Sequence, residues 1–165
     1  MDLTAQLPTW LSLITHPSPS IIKEEMRRWN ITYQNVSPYI TSPVPPLHYG
    51  RNVIFRTKLF EVIVLQIPPY VETPIHDHGE SFCSVKVVDG VLYNRVYHID
   101  KTSGDLEQIR EERYEQNNYF VVTQDQIHSM YNPNNQPLIT FHVYSPPIEN
   151  NHIYSEANLE DPVIR

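Results

Sequence analysis

Two patterns of apolar positions divide the chain. Near the N-terminus, Ile22, Met26 and Trp29 recur four and three residues apart, one apolar stripe on a helix. Ser18-Pro19 precedes them and suits an N-cap followed by proline at the first helical position. Trp10, Leu11 and Ile14 predict a shorter helix before that one. Beyond the proline-rich stretch Pro38 to Pro46 the pattern becomes strand-like. Val53 to Arg56, Leu59 to Ile67, Phe82 to Val88, Val91 to His98, Leu106 to Arg110, Tyr119 to Val122 and Leu138 to Tyr144 are rich in Val, Ile, Tyr and Phe. Asp89-Gly90 predicts a hairpin turn between two of these runs, because both turn positions want positive φ. Thr102-Ser103-Gly104-Asp105 and Asn132-Pro133-Asn134-Asn135 predict two more turns. Many short strands with regular turns predict a mainly β sandwich or barrel with short N-terminal helices packed against it.

Length and charge narrow the class. A chain of 165 residues fits a single domain. Residues 1–37 form a helical segment, 47–147 the barrel core and 148–165 a polar C-terminal extension to which no element is assigned. The proline-rich stretch between the first two reads as an extended connector, since proline fixes φ and biases its predecessor away from helix. Twelve basic against 19 acidic residues give a net charge of −7, the wrong sign for a nucleic-acid partner. The lone cysteine, Cys83, excludes an intrachain disulfide. No apolar run approaches the roughly 18 residues of a membrane span, and no signal peptide is evident. The expectation is a cytoplasmic monomer acting on a small molecule. The run Arg110-Glu111-Glu112-Arg113 reads as a solvated strand end or turn.

The candidate chemistry lies among eight histidines. His76 and His78 are two apart, and on a strand such residues share a face, a geometry that suits a metal. Such pairs also arise by coincidence on protein surfaces. The context is more specific. The string His-x-His-x4-Cys-x6-Gly, from His76 through Cys83 to Gly90, resembles the first motif of the cupin superfamily, a small jelly-roll β-barrel fold. His128, with Asn132 four residues on, resembles the end of the second motif and would supply the third ligand. Cys83 stands where a cupin normally carries a glutamate ligand. Three neutral imidazoles would leave a divalent ion its full charge, which favours an anionic ligand such as a thiolate.

Three further elements resemble the cysteine dioxygenase family of thiol dioxygenases. They are Tyr49-Gly50-Arg51-Asn52, His76-Asp77-His78-Gly79-Glu80-Ser81-Phe82-Cys83, and Leu138 to Pro147 with its Thr140-Phe141-His142-Val143-Tyr144-Ser145-Pro146 core. The resemblance implies that His76, His78 and His128 ligate Fe(II). Arg51 would hold the substrate carboxylate, as a guanidinium fork does well, with Tyr49 supporting it. Tyr144, His142 and Cys83 would form the catalytic side, and Cys83 and Tyr144 match the partners of a thioether crosslink found in part of the family. The Ser145-Pro146 bond would be cis. Thr140, His142 and Tyr144 alternate, so on a strand they share one face and can relay a proton. The implied activity is oxidation of L-cysteine by O2 to L-cysteine sulfinate. Two alternatives stand beside it: 3-mercaptopropionate as substrate, and a non-catalytic metal-binding cupin. Bland readings also exist for single residues. An arginine opening a strand suits an ion pair, a strand tyrosine suits a core, and a lone buried thiol is common.

Overall fold

The computed structural model describes residues 2–155 and 161–163, with side chains to residue 155. Helix α1 (Leu3–Ser12) buries Leu3, Leu7 and Leu11, so it begins earlier than the Trp10-centred stripe predicts. Helix α2 (Pro19–Arg28) starts as expected: the Ser18 hydroxyl accepts the Ile21 N–H at 3.2 Å and Pro19 follows. Trp29 caps its C-terminal end and stacks on Trp10 at 5.2 Å between centroids. A single turn, α3 (Tyr33–Val36), leads into a 3-10 turn over Ser37–Tyr39 and then the proline connector.

Among the described residues eleven strands follow, β1 (Gly50–Arg56), β2 (Glu61–Ile67), β3 (Ile75–His76), β4 (Phe82–Asp89), β5 (Val91–Ile99), β6 (Leu106–Glu115), β7 (Tyr119–Val122), β8 (Ile127–Tyr131), β9 (Leu138–Ser145), β10 (Asn151–Tyr154) and β11 (Asp161–Val163). They form a five-stranded sheet, β1-β2-β9-β4-β7, and a six-stranded sheet, β11-β10-β3-β8-β5-β6, in which each paired strand runs antiparallel to its neighbour. The chain passes repeatedly from one sheet to the other. This corrects the hairpin expected at Asp89-Gly90. Gly90 does adopt φ +96°, but β4 pairs with β7 and β9 while β5 pairs with β6 and β8. The turn is a corner between sheets. Thr102 to Asp105 does close a hairpin, with Asp100 Oδ1 accepting the Thr102 and Ser103 N–H groups.

Burial explains the strand sequences. One apolar cluster joins the helices to the outer face of the five-stranded sheet through Val62, Val64, Phe141 and Val143. A second fills the space between the sheets with Ile63, Leu65, Ile67, Cys83, Val85, Leu92 and Met130. Covered on both faces, β9 is buried throughout and reads as a continuous apolar run. At the other extreme, β6 borders one strand only. It runs on to Glu115, so Arg110 to Arg113 lie inside the strand rather than at its end. Charges suit this exposed edge, and Arg95 on β5 bonds Glu111 at 2.8 Å. Part of the C-terminal extension is ordered as β10 and β11. Residues 156–160 and 164–165 lie outside the described residues.

Candidate metal centre

The strand register assembles three histidines between the sheets. β3 pairs with β8 so that His76 stands directly across from His128. His78 does not sit on the strand, as the spacing argument supposes. β3 ends at His76, and His78 opens a turn in which Ser81 N–H donates to its carbonyl at 3.0 Å. Gly79, at φ +58°, makes that turn. A Cβ there would lie 2.8 Å from the Glu149 carbonyl oxygen. The three side chains still converge. One nitrogen from each lies within 4.8 Å of the others, and none of the three residues is more than 3% exposed.

Two of the rings are set by second partners. His76 Nδ1 donates to the Pro74 carbonyl at 2.7 Å, and His128 Nδ1 donates to Asn94 Oδ1 at 2.7 Å. A neutral ring that donates from Nδ1 carries its lone pair on Nε2. That atom of His128 lies 3.1 Å from Nε2 of His78. Buried neutral imidazoles turned inward are a donor set that fits a transition-metal cation. Another trio, His98, Asp100 and Glu107, also gathers its ligand atoms within 4.8 Å, but on the open surface of the β5–β6 hairpin. Asp77, between the two histidines, faces the opposite way. Burial alone would raise its carboxyl pKa. Hydrogen bonds from His152 N–H, the Tyr154 hydroxyl, Gly79 N–H and the His152 ring outweigh that and hold it below its ordinary value. The bonds tie β10 to the ligand turn, with Asp77 N–H in turn donating to the His152 carbonyl at 3.1 Å.

The five-stranded sheet supplies the facing wall. Glu61, Tyr144 and Cys83 are consecutive register partners across β2, β9 and β4, with Ile63, His142 and Val85 as the next row. Thr140 Oγ1 lies 2.8 Å from His142 Nε2, and His142 Nδ1 lies 3.5 Å from the Tyr144 hydroxyl and 3.6 Å from Cys83 Sγ. The alternation expected of β9 thus joins hydroxyl, imidazole and phenol in one line. The Tyr144 ring meets His78 edge-on at 5.2 Å. Full burial pushes the Cys83 thiol well above its ordinary pKa, against hydrogen bonding from Tyr144 and Val143, so it stays protonated. The Ser145-Pro146 bond is cis, as the resemblance implies.

Arg51 is the second residue of β1, after Gly50, where a Cβ would collide with the Thr41 carbonyl 1.7 Å away. Its register partner is Leu65, so it shares the inner face. The guanidinium runs along the sheet and donates from Nη2 to Glu61 Oε1 at 3.2 Å, while Nε is buried without a hydrogen-bond partner. Glu61 is 1% exposed and also meets Arg56 Nη1 at 3.1 Å. Tyr49 is buried in the inner apolar cluster. The sequence reading missed Glu61, Asn94, Asp77 and Asn151. A carboxylate opening an apolar run, with Arg56 across a short turn, was the available signal for Glu61. A cavity of about 790 Å³ opens beside the ligand turn; Arg56, Gly79, Pro146 and His152 line it and the three histidines do not.

Two antiparallel sheets enclosing a three-histidine centre define a cupin, the double-stranded β-helix class. Solved structures agree on the fold. A Klebsiella pneumoniae protein with a double-stranded β-helix domain is 19% identical, with a TM-score of 0.55, over 72% of this chain and 92% of that one. The cupin domain of Cnp3 from Schizosaccharomyces pombe is 14% identical, also at 0.55, over 67% of this chain and 71% of that one. A Thermus thermophilus protein is 14% identical at 0.55, over 67% and 93%. The family model for cysteine dioxygenase type I matches residues 44–157, well over half of the chain and the whole of the site. The chain belongs to that family, and its three-histidine site is that of a metal-dependent thiol dioxygenase of the cupin class.

Proposed function

We propose that the protein is an Fe(II)-dependent dioxygenase that oxidises L-cysteine with O2 to L-cysteine sulfinate. The observation that carries this is the pairing of three buried, converging imidazoles with a partly buried arginine whose buried Nε has no hydrogen-bond partner. A ferrous ion held by His76, His78 and His128 would supply the redox centre at which thiolate and dioxygen meet.

The chain's own residues do the rest. Arg51 holds the substrate carboxylate through its uncommitted Nε–H, since a charge-assisted hydrogen bond suits that buried donor. That fixes the thiol relative to the histidines, and orientation of this kind removes much of the entropic barrier. Glu61 pins the guanidinium by accepting from Nη2. Tyr144 directs its hydroxyl toward the reacting sulfur and oxygen, and the His142–Thr140 line behind it holds or returns a proton. Both oxygen atoms end on sulfur, the thiolate supplies the electrons, and no external reductant is needed.

The test is oxygen uptake by iron-reconstituted protein with L-cysteine, with the product identified by mass. Uptake with a product heavier than cysteine by both oxygen atoms is expected. No uptake with iron-loaded protein would favour a metal-binding cupin without catalysis. Faster uptake with 3-mercaptopropionate would reassign the substrate.

A further inference from the structure

Asn151 opens β10 with its side chain fully buried, yet neither its Nδ2 nor its Oδ1 has a hydrogen-bond partner. Burying a bare amide is costly, and folded proteins rarely tolerate it without a reason. Its placement supplies one. Ile153 pairs with His76, so Ile153 and Asn151 share the face on which the histidines lie. The next contact, from Asp77 N–H to the His152 carbonyl, puts Asn151 beside the turn that carries His78. The backbone at this point is locked, because Asp77 bonds both the N–H and the carbonyl of His152. The neighbouring side chain therefore stands in a fixed position with both polar atoms uncommitted. Across the interior, Arg51 Nε is the corresponding uncommitted donor on the other sheet.

These two groups divide a small polar ligand between them. The guanidinium takes a carboxylate. An amide oxygen beside the histidines takes an N–H donor. A thiolate offers none, whereas an amine keeps N–H bonds even when its lone pair binds a metal. We propose that Asn151 Oδ1 accepts a hydrogen bond from the substrate's α-amino group, and so selects 2-amino thiols over analogues that lack the amine. This rests on the thiol dioxygenase reading of the same site and names what that site recognises.

The test compares wild type, Asn151→Leu and Asn151→Asp, each iron-loaded, with L-cysteine and with 3-mercaptopropionate. Oxygen uptake gives kcat/KM, and calorimetric titration without oxygen gives affinity. In Asn151→Leu, both quantities should fall roughly 10- to 100-fold for L-cysteine and stay within about threefold for 3-mercaptopropionate. Asn151→Asp retains the acceptor and should keep the preference for cysteine. The unfolding midpoint of Asn151→Leu should equal or exceed that of wild type, since no bond is lost. Equal losses for both thiols, an unchanged preference in Asn151→Leu, or a lost preference in Asn151→Asp would overturn the proposal. Wild type that consumes no oxygen with either thiol would instead overturn the dioxygenase reading, and the titrations would still decide for Asn151.

Discussion

Glu61→Gln isolates one charge on which the clamp depends. Glu61 is 1% exposed and Arg51 only 15%, with Nη2 and Oε1 3.2 Å apart. At an effective dielectric of about 20, unit charges at that distance attract by about 5 kcal/mol before desolvation is subtracted. Removing one partner of a buried pair costs about 3–5 kcal/mol, chiefly because the other charge is left buried alone. The Arg56 contact adds little, because that side chain is 47% exposed and water screens it. A loss of about 3 kcal/mol follows, or roughly 6–12 °C in Tm for a chain of this size. A carboxylate ligand bound at Arg51 would replace the missing charge. Ligand stabilisation grows with affinity, so L-cysteine, with oxygen excluded, should narrow the gap between variant and wild type. Cysteamine, which has thiol and amine but no carboxylate, should leave it unchanged. Differential scanning with and without each thiol measures this. A variant as stable as wild type would show that the guanidinium is not held as a buried pair. A gap that L-cysteine does not narrow would refute Arg51 as the carboxylate site.

Three other perturbations probe the remaining parts. Arg51→Ala should raise the KM for L-cysteine by roughly 10- to 100-fold, the worth of a charge-assisted bond, while iron content stays near wild type; unchanged cysteine kinetics would refute the clamp. Asn94→Ala removes the acceptor that orients His128 and should weaken metal binding by about 10- to 100-fold in chelator competition; equal affinity would mean that the contact does not tune the ligand. Cys83 and Tyr144 are register partners, so after turnover with iron and cysteine a fraction of the protein should be lighter by the two hydrogens lost in a thioether. That fraction should vanish in Cys83→Ser, and an unaltered intact mass after turnover would count against the crosslink.

The ligands and the facing wall were legible for different reasons. On β9, strict alternation gave Thr140, His142 and Tyr144 one face, and the register keeps them there. The histidine pair was read correctly as convergent, but by the wrong local geometry. β3 is two residues long, and a turn with Gly79 at positive φ carries His78 inward. β8 escaped notice because Ile127 to Tyr131 holds His, Ser and Met where a strand signal wants β-branched residues. Asp89-Gly90 was recognised as a turn but assigned to a hairpin, since local turn chemistry does not specify which sheet the next strand joins. Glu61 and Asn151 depend on long-range pairing. A glutamate and an asparagine carry no chemistry in sequence until the fold buries one between two arginines and strands the other beside a metal-ligand turn.

The architecture itself assigns the division of labour. All three histidines come from the six-stranded sheet and its ligand turn, whereas Arg51, Glu61, Tyr144, His142 and Cys83 come from the five-stranded sheet. Each side is internally satisfied where it need only be rigid: His128 on Asn94, Asp77 on β10, His142 on Thr140, Arg51 on Glu61. Polar atoms are left over at Arg51 Nε and the Asn151 amide, and also at Nδ2 of Asn94 behind His128. An apolar filling there would stabilise the barrel more. Such unmet hydrogen bonds mark where folding has been subordinated to binding, and under the proposed function a ligand that met both would carry a carboxylate and an N–H donor. The α-amino thiol acid proposed above carries both groups, whereas a bare thiol carries neither.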